Sequence, residues 1–187
     1  MIGWLVLFLV NLWVEPGWSD ELMPDSIEFC SPCHGSSGVG DDPNVPVIGG
    51  QPRTFLVYAL KAYAAGDWPS PVMEAVAKGL TEDQIQMAAD HYSRQPFRPQ
   101  LQQVDPCKAE EGKKIHQRLC AKCHVEEGRV ADEYEAILVG QRISHLQRVL
   151  KQYLRGERAA EKMMLKKLGK LGAEEVDALI AYYGRGK

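Results

Sequence analysis

Apolar residues recur at helical spacing along most of this 187-residue chain. Two stretches carry them at i, i+4 and i+7, the pattern of an amphipathic helix: Leu56, Leu60 and Tyr63, then Leu146, Leu150 and Tyr153. Two later stretches place four apolar residues on one helical face: Ile85, Ala88, Ala89 and Tyr92, then Val176, Leu179, Ile180 and Tyr183. No segment of useful length alternates apolar and polar residues as a half-buried strand does. The pattern predicts an all-α fold.

The second half of the chain repeats the first. The motif CSPCH at 30–34 returns 90 positions later as CAKCH at 120–124, and the Gly-Gln pair at 50–51 returns at 140–141. Later the offset becomes 91, so one residue is inserted between residues 156 and 171. A sustained register of this kind indicates a tandem duplication.

The repeat also sets the predicted domain boundaries. We expect a first helical domain at residues 20–93 and a second at 107–187. The stretch between them, 94–106, is polar and contains prolines, which is typical of a linker.

The first residues are typical of an export signal. Residues 2–14 form an apolar run that is too short to span a bilayer comfortably but has the length of a signal-peptide core. The sequence GWS at 17–19 offers a cleavage site, which predicts a signal peptide at 1–19 and a periplasmic mature chain. No basic residue precedes Arg53, so either the start lies upstream or the initiator amine supplies the positive charge. An uncleaved segment would instead anchor the protein in the membrane.

The repeated CxxCH motif is the attachment sequence of c-type haem. Its two thiols form thioethers with the vinyl groups of the macrocycle, and the histidine that follows ligates the iron. A small helical domain builds little core of its own, so the haem would supply it. The sequence predicts two covalently bound haem c groups, one on Cys30, Cys33 and His34 and one on Cys120, Cys123 and His124.

Other interpretations of the cysteines explain less. A zinc site made from four cysteines would leave both histidines and the repeat unexplained. A thioredoxin-like CxxC needs an α/β pattern, which is absent. A disulfide framework conflicts with the odd count of five cysteines, which leaves Cys107 over.

The sixth iron ligand decides between electron transfer and chemistry on a small ligand, because a thioether closes the site. Met73 is the candidate in the first half, with Met23 and Met87 as further thioethers. Counting 90 positions on from Met73 gives Met163, and counting 91 gives Met164. The register on the C-terminal side of the insertion favours Met164, and Met163 is the alternative.

Histidines outside the motifs are alternative ligands in principle. None of them falls at an equivalent position in both halves, so we expect surface or packing roles for His91, His116 and His145. A ligating histidine normally donates its second N–H to a carbonyl. The Pro46 carbonyl is the candidate acceptor for His34. The equivalent residue in the second half is Ala136, so His124 is expected to use another backbone oxygen.

These motifs carry a family resemblance. The tandem CxxCH halves, the run GQ…L…L…Y…G and the late methionine resemble the two-haem class I cytochromes c of bacterial periplasms. The stretches KIHQRLCAKCHVEEG, ADEYEAILVGQ and AAEKMMLKKL resemble, more narrowly, the dihaem cytochrome subunit of flavocytochrome c sulfide dehydrogenase. The resemblance covers about residues 25–183 and implies two class I cytochrome c domains, each wrapped around one covalent haem. It aligns the ligand methionine with Met164 and gives no role to Cys107.

The resemblance also implies a function. In that family an FAD-containing flavoprotein oxidises sulfide and passes electrons to the haems of its cytochrome partner. We therefore expect an electron-transfer subunit with no substrate chemistry of its own. A free-standing two-haem shuttle to a terminal oxidase or reductase is the alternative. A two-haem peroxidase would need a vacant or labile sixth position.

Charge separates the two halves. The chain has a net charge of −3, with −6 in residues 20–104 and +4 in residues 105–187. Such asymmetry is a property of docking surfaces rather than of fold. We expect the halves to face different redox partners, with the lysines around Met163 and Met164 forming docking surface. Basic residues interleaved with acids, together with export, exclude a nucleic-acid partner.

Overall fold

The computed structural model describes residues 25–186, and within that range the chain is helical and contains no strand. The predicted signal segment and Met23 lie outside the described residues. The helices of the first half are α1 (Asp25–Glu28), α2 (Ser31–His34), α3 (Arg53–Ala65), α4 (Pro71–Lys78) and α5 (Glu82–Ser93). Those of the second half are α6 (Pro106–Ile115), α7 (Ile143–Leu154), α8 (Lys162–Leu168) and α9 (Ala173–Gly184).

Local sequence sets the helix ends. Ser70 caps α4 by accepting a hydrogen bond from the Met73 amide, and a proline follows it in the first turn. Thr81 and Gln84 form a reciprocal capping box at the start of α5, and the acidic residues of its first turn suit the positive end of the helix dipole. Gly66 ends α3 in the left-handed conformation, with φ of 81°.

The second half departs from regular helix at one place. Asp105 caps α6 by accepting from two backbone amides, and α6 then runs directly into a π-helical turn, His116–Cys120. This turn widens the helix where it meets the CxxCH motif. Short π-helical segments of this kind are frequent at functional sites.

Each half has its own apolar core. In the second half α6 crosses α9 closely, because Gly112 has no side chain: a Cβ there would lie 2.0 Å from the Ala178 carbonyl oxygen. The second-half core includes Ile115, Leu146, Leu150, Leu179 and Tyr183. The first-half core is smaller and consists of Ile27, Leu56, Ala88, Ala89 and Tyr92. A separate cluster in the same half joins Ala59, Ala62 and Trp68.

The residues between α5 and α6 are packed rather than loose. The Gln100 amide donates to the Gly140 carbonyl at 2.8 Å. The Gln102 side chain accepts from the Ile143 amide at 2.8 Å and donates to the Gln141 carbonyl at 2.9 Å. This segment therefore helps to hold the start of α7 in place.

The two halves also contact each other directly. The Trp68 indole N–H donates to the Ala159 carbonyl at 3.0 Å, and the Ala159 amide donates to the Asp67 carbonyl at 3.1 Å. The Arg158 guanidinium lies over the Trp68 ring, 3.6 Å from its centroid. No helix within residues 25–186 is both long and apolar enough to cross a membrane.

Candidate haem-binding sites

The first CxxCH motif forms one tight helical turn. The Cys33 and His34 amides both donate to the Cys30 carbonyl, at 3.3 and 2.9 Å. This turn leaves Cys33 exposed and places Cys30 at the edge of the first-half core. His34 is buried, with 7% of its surface exposed. The motif thus brings two sulfurs to one side of a buried imidazole.

The second nitrogen of His34 has the partner that the sequence predicted. His34 Nδ1 lies 3.2 Å from the Pro46 carbonyl oxygen and donates to it. Burial lowers the pKa of His34, and the bond to Pro46 opposes that shift only in part. The imidazole is therefore neutral, with Nδ1–H fixed by the carbonyl and Nε2 left with its lone pair. That is the state in which an imidazole ligates iron.

The second motif is built on the π-helical turn. The His124 amide donates to the Cys120 carbonyl at 3.0 Å, as in the first motif. Cys120 packs against the second-half core, and the Tyr183 hydroxyl hydrogen-bonds its sulfur. Cys123 is exposed. Both motifs therefore present one half-buried and one exposed cysteine.

The expected backbone partner of His124 is absent from the described part of the chain. His124 Nδ1 is buried without a hydrogen-bond acceptor there, so that expectation was wrong. The equivalent of Pro46 is Ala136, which lacks the ring that fixes the proline φ. Burial first, and the nearby His116 second, lower the pKa of His124 to about 4. This imidazole is neutral as well.

The candidate methionines occupy matching helix positions. Met73 is the third residue of α4 after its cap Ser70, and Met164 is the third residue of α8 after its cap Glu161. Met164 is half-buried and packs against the second-half core, whereas Met163 is 60% exposed. Met87 lies on α5 with 41% of its surface exposed.

The other histidines have partners of their own. His91 Nε2 donates to the Ser36 carbonyl at 2.7 Å. His116 is buried, and its Nδ1 hydrogen-bonds the Tyr183 hydroxyl at 2.9 Å. His145 lies at the boundary between the halves, 3.2 Å from an Arg148 nitrogen. Burial, followed by the charges of Arg148, Arg158 and His34, lowers the pKa of His145 to about 3.

Sequence reasoning missed several residues near the motifs. Tyr92 donates its hydroxyl to the Gly35 carbonyl at 3.2 Å, next to His34. Its counterpart Tyr183 contacts the second motif through Cys120. The repeat placed both tyrosines in register, but helical spacing assigned them only to the core. Arg142 and Arg158 are also buried, and no pattern in the sequence singles them out.

The donor set fits c-type haem. Each half offers two thiols, a neutral imidazole and a methionine at the same helix position. The small first-half core suits a domain completed by a macrocycle. When bound, haem supplies an iron that takes up and releases one electron. The thiols would hold it covalently, and the surroundings of the two imidazoles keep both in the neutral form that can ligate iron.

The fold and these sites define a class of protein: an all-α chain of tandem halves, each bearing a c-type haem attachment motif. Cytochrome c-554(548) of Halomonas halodenitrificans is 36% identical over 74 residues, covering 38% of this chain and 89% of that protein. The sequence profile of a family described as cytochrome c oxidase, cbb3-type, subunit III matches residues 108–182. The chain belongs to the cytochrome c family, so it binds haem c and transfers electrons.

Two further similarities extend this picture. Cytochrome c4 of Acidithiobacillus ferrooxidans superposes with a TM-score of 0.73 at 26% identity, covering 84% of this chain and 99% of that chain. A protein named thiosulfate dehydrogenase electron acceptor, from Thiomonas intermedia, is 33% identical over 76 residues, 39% of this chain. Those residues make up 35% of that protein, so the chain spans about a third of its length.

Proposed function

We propose that the protein carries two haems c and passes electrons between an exported sulfur-compound dehydrogenase and a second redox partner. The observation that carries this proposal is the repeated geometry. Each CxxCH turn places a histidine beside two thiols, with His34 buried and His124 half-buried, and each half offers a methionine at the third position of a short helix. The predicted domains, 20–93 and 107–187 with the connection at 94–106, each hold one haem.

The axial ligands follow from the same geometry. His34 and Met73 ligate the first iron, and His124 and Met164 ligate the second. Met164 is favoured over Met163 because it matches Met73 in helix position and faces the core rather than solvent. Histidine with methionine closes both iron sites, which suits electron transfer and disfavours peroxide chemistry.

The partner is an oxidoreductase of sulfur compounds. The resemblance to the cytochrome subunit of flavocytochrome c sulfide dehydrogenase points to an FAD-containing flavoprotein that oxidises sulfide in the periplasm. The similarity to a thiosulfate dehydrogenase electron acceptor supports a second candidate, a thiosulfate-oxidising partner. With either partner the protein would accept electrons released by sulfur oxidation. A shuttle that delivers electrons to a terminal oxidase or reductase is the alternative without a fixed partner.

The two halves offer surfaces of opposite charge for docking. Residues 20–104 carry a net charge of −6 and residues 105–187 carry +4. Around the exposed Met163, the lysines of α8 make a basic surface beside the second haem site. Complementary charge speeds encounter and selects partners. The basic half would receive an acidic partner, and the acidic half a basic one.

The haem count tests the core of the proposal. The purified full chain is expected to bind two haems, measured as the pyridine haemochrome per mole of protein. Replacing both Cys120 and Cys123 by serine should reduce covalent haem to one, while Cys107→Ser, at an exposed cysteine outside the motifs, should leave two. A single haem in the unaltered protein would refute the proposal.

Two further measurements separate the functional alternatives. Low-spin spectra for both reduced haems, with no carbon monoxide binding, are expected of a closed electron carrier. A high-spin haem that binds carbon monoxide would favour the peroxidase instead. Reduction of the purified protein by a purified sulfide-oxidising flavoprotein, compared with a thiosulfate dehydrogenase, identifies the donor. If neither enzyme reduced the protein, the free-standing electron shuttle would be the remaining hypothesis.

A further inference from the structure

The boundary between the two halves is chemically one-sided. At four positions related by the 90-residue offset, the second half carries basic side chains where the first half carries apolar or aromatic ones. The second-half residues are Arg142, His145, Arg148 and Arg158, and their first-half equivalents are Pro52, Phe55, Tyr58 and Trp68. If the duplication had been preserved at this interface, equivalent positions of the two halves would carry similar side chains. Here the cations all come from one side.

Arg142 reaches into the loop that follows the first haem motif. One of its terminal nitrogens donates to the Gly40 carbonyl. Gly40 in turn lies directly against the motif, because a Cβ there would be 1.8 Å from the Cys33 carbonyl oxygen and 3.4 Å from the His34 Cα. Arg142 is 9% exposed, and its Nε has no hydrogen-bond partner among the described residues.

The same loop is held at further points by α7 and the residue before Arg142. Ser144 donates to the Pro43 carbonyl, and Arg148 donates to the Asn44 carbonyl at 3.2 Å. Gln141 bonds the main chain of Val47, which adjoins the Pro46 carbonyl that orients His34. The second half therefore surrounds the first haem site with donors.

Arg158 is buried in the same boundary with 5% of its surface exposed. Its guanidinium lies over Trp68, and one terminal nitrogen donates to the Gln152 side chain at 3.4 Å. Its Nε, like that of Arg142, is buried and has no partner within residues 25–186. The guanidinium also lies 5.6 Å from the centroid of the Tyr63 ring, so two aromatic rings of the first half border it.

Two buried guanidiniums without a counter-ion are costly. Across residues 25–186 neither Arg142 nor Arg158 forms an ion pair with a carboxylate. Burial of an unpaired charge is strongly unfavourable, and a buried arginine is normally matched by an anion. The planar guanidinium suits carboxylates in particular, which it binds through parallel N–H bonds. Haem carries two such carboxylates, its propionates.

We propose that Arg142 and Arg158, supplied by the second half, bind the propionates of the haem attached to Cys30 and Cys33 and raise its reduction potential. This inference rests on the proposed first haem. Reduction adds negative charge at the iron, so nearby fixed positive charge favours the ferrous state. The first half is itself acidic and lacks such cations at the equivalent positions. The second half thus raises the reduction potential of the haem bound by the first half.

The test is a spectroelectrochemical titration of the purified two-haem protein with Arg142→Gln and, separately, Arg158→Gln. Each substitution should lower one of the two midpoints. We expect the ferrous-to-ferric ratio at a fixed potential to fall about fivefold, which corresponds to about 1 kcal/mol. Met73→Ala shows which midpoint potential belongs to the first haem, because it removes the proposed ligand of that iron. The arginine variants should lower that same midpoint potential.

Controls separate charge from packing. Arg142→Lys and Arg158→Lys keep the positive charge and should restore most of the midpoint, which a merely structural role would not do. Arg118→Gln removes an exposed arginine paired with Glu175 on the second half and should move neither midpoint.

The haem count distinguishes the two possible failures. Variants with two haems and unchanged midpoints would overturn this inference and leave the proposed function standing. Equal shifts of both midpoints would also overturn it, since the charge would not be specific to the first haem. An unaltered protein with one haem would overturn the proposed function itself. Because the two arginines are tested separately, failure of one variant to fold leaves the other as the test.

Discussion

The side-chain amide of Gln51 pairs with both main-chain groups of Ile137 across the domain boundary. Its Nε2 donates to the Ile137 carbonyl at 3.1 Å, and its Oε1 accepts from the Ile137 amide at 2.8 Å. Gln141 repeats the arrangement with Val47, at 2.8 and 2.9 Å. The repeated glutamines thus join the halves as a pseudo-symmetric pair of two-bond clasps.

Loss of either clasp should destabilise the protein. Gln51 and Gln141 are 2% and 5% exposed, so replacement leaves buried main-chain groups unpaired. Gln51→Ala and Gln141→Ala are each expected to lower the free energy of unfolding by about 1–3 kcal/mol. Guanidinium unfolding of the haem-loaded protein, followed by circular dichroism, measures this.

Gln147→Ala is the matched control, because Gln147 is exposed on α7. It should change stability by less than about 0.5 kcal/mol. If the three variants unfolded alike, the clasps would not contribute to stability.

The close crossing of α6 and α9 gives a second prediction. A Cβ on Gly112 would lie 2.0 Å from the Ala178 carbonyl oxygen and 2.7 Å from the Tyr182 Cβ, so the two helices would have to separate. Gly112→Ala should cost about 1–3 kcal/mol of unfolding free energy or more. Thermal unfolding against the unaltered protein measures the loss.

Gly169→Ala provides the comparison for this substitution. Gly169 has φ of −65°, and its nearest neighbour to an added Cβ is the Leu165 oxygen at 3.4 Å. Without a helix contact to disrupt, this change should be neutral or slightly stabilising. A Gly112→Ala protein as stable as Gly169→Ala would show that the crossing tolerates a methyl group.

Much of the fold follows from the sequence because helices are local. The apolar spacing predicted α3, α5, α7 and α9, and the offset of 91 gave Met164 the same helix position as Met73. The Pro46 partner of His34 was also predicted correctly. Each of these depends on residues close together in the chain or on the repeat itself.

The rest depends on contacts between distant residues. The repeat showed that Gln51 and Gln141 recur, but nothing in a local pattern says that they bond a main chain 86 to 94 positions away. The burial of Arg142 and Arg158 could not be predicted, because arginine side chains usually lie at the protein surface. The prediction of a backbone acceptor for His124 Nδ1 was wrong because it assumed that the loop after the second motif resembles the loop of the first half.

The hydrogen bond between His116 and Tyr183 gives a third prediction. Both residues are buried, and the Tyr183 hydroxyl is the partner of His116 Nδ1 at 2.9 Å. Tyr183→Phe would leave that nitrogen buried and unpaired, which should cost about 1–3 kcal/mol of unfolding free energy. Chemical denaturation at neutral pH measures the change.

The adjacent tyrosine is an unusually close control. The Tyr182 hydroxyl is buried and has no hydrogen-bond partner among residues 25–186, so Tyr182→Phe removes a polar group that gains nothing from burial. That variant should be as stable as the unaltered protein or more stable. Equal losses in the two variants would contradict the role assigned to the His116 bond.

The choice between the adjacent methionines yields the sharpest spectroscopic prediction. Met164 packs against the core and matches Met73 in helix position, whereas Met163 is 60% exposed. Met164→Ala should abolish the weak near-infrared sulfur-to-iron band of one oxidised haem and lower its midpoint, because the iron loses its thioether ligand. Met163→Ala should leave both bands in place and change stability by less than about 0.5 kcal/mol, as expected for an exposed side chain. Met73→Ala should remove the band of the other haem. A Met164→Ala protein that retained both bands would exclude Met164 as the ligand. Loss of a band in Met163→Ala would instead identify Met163 as the iron ligand.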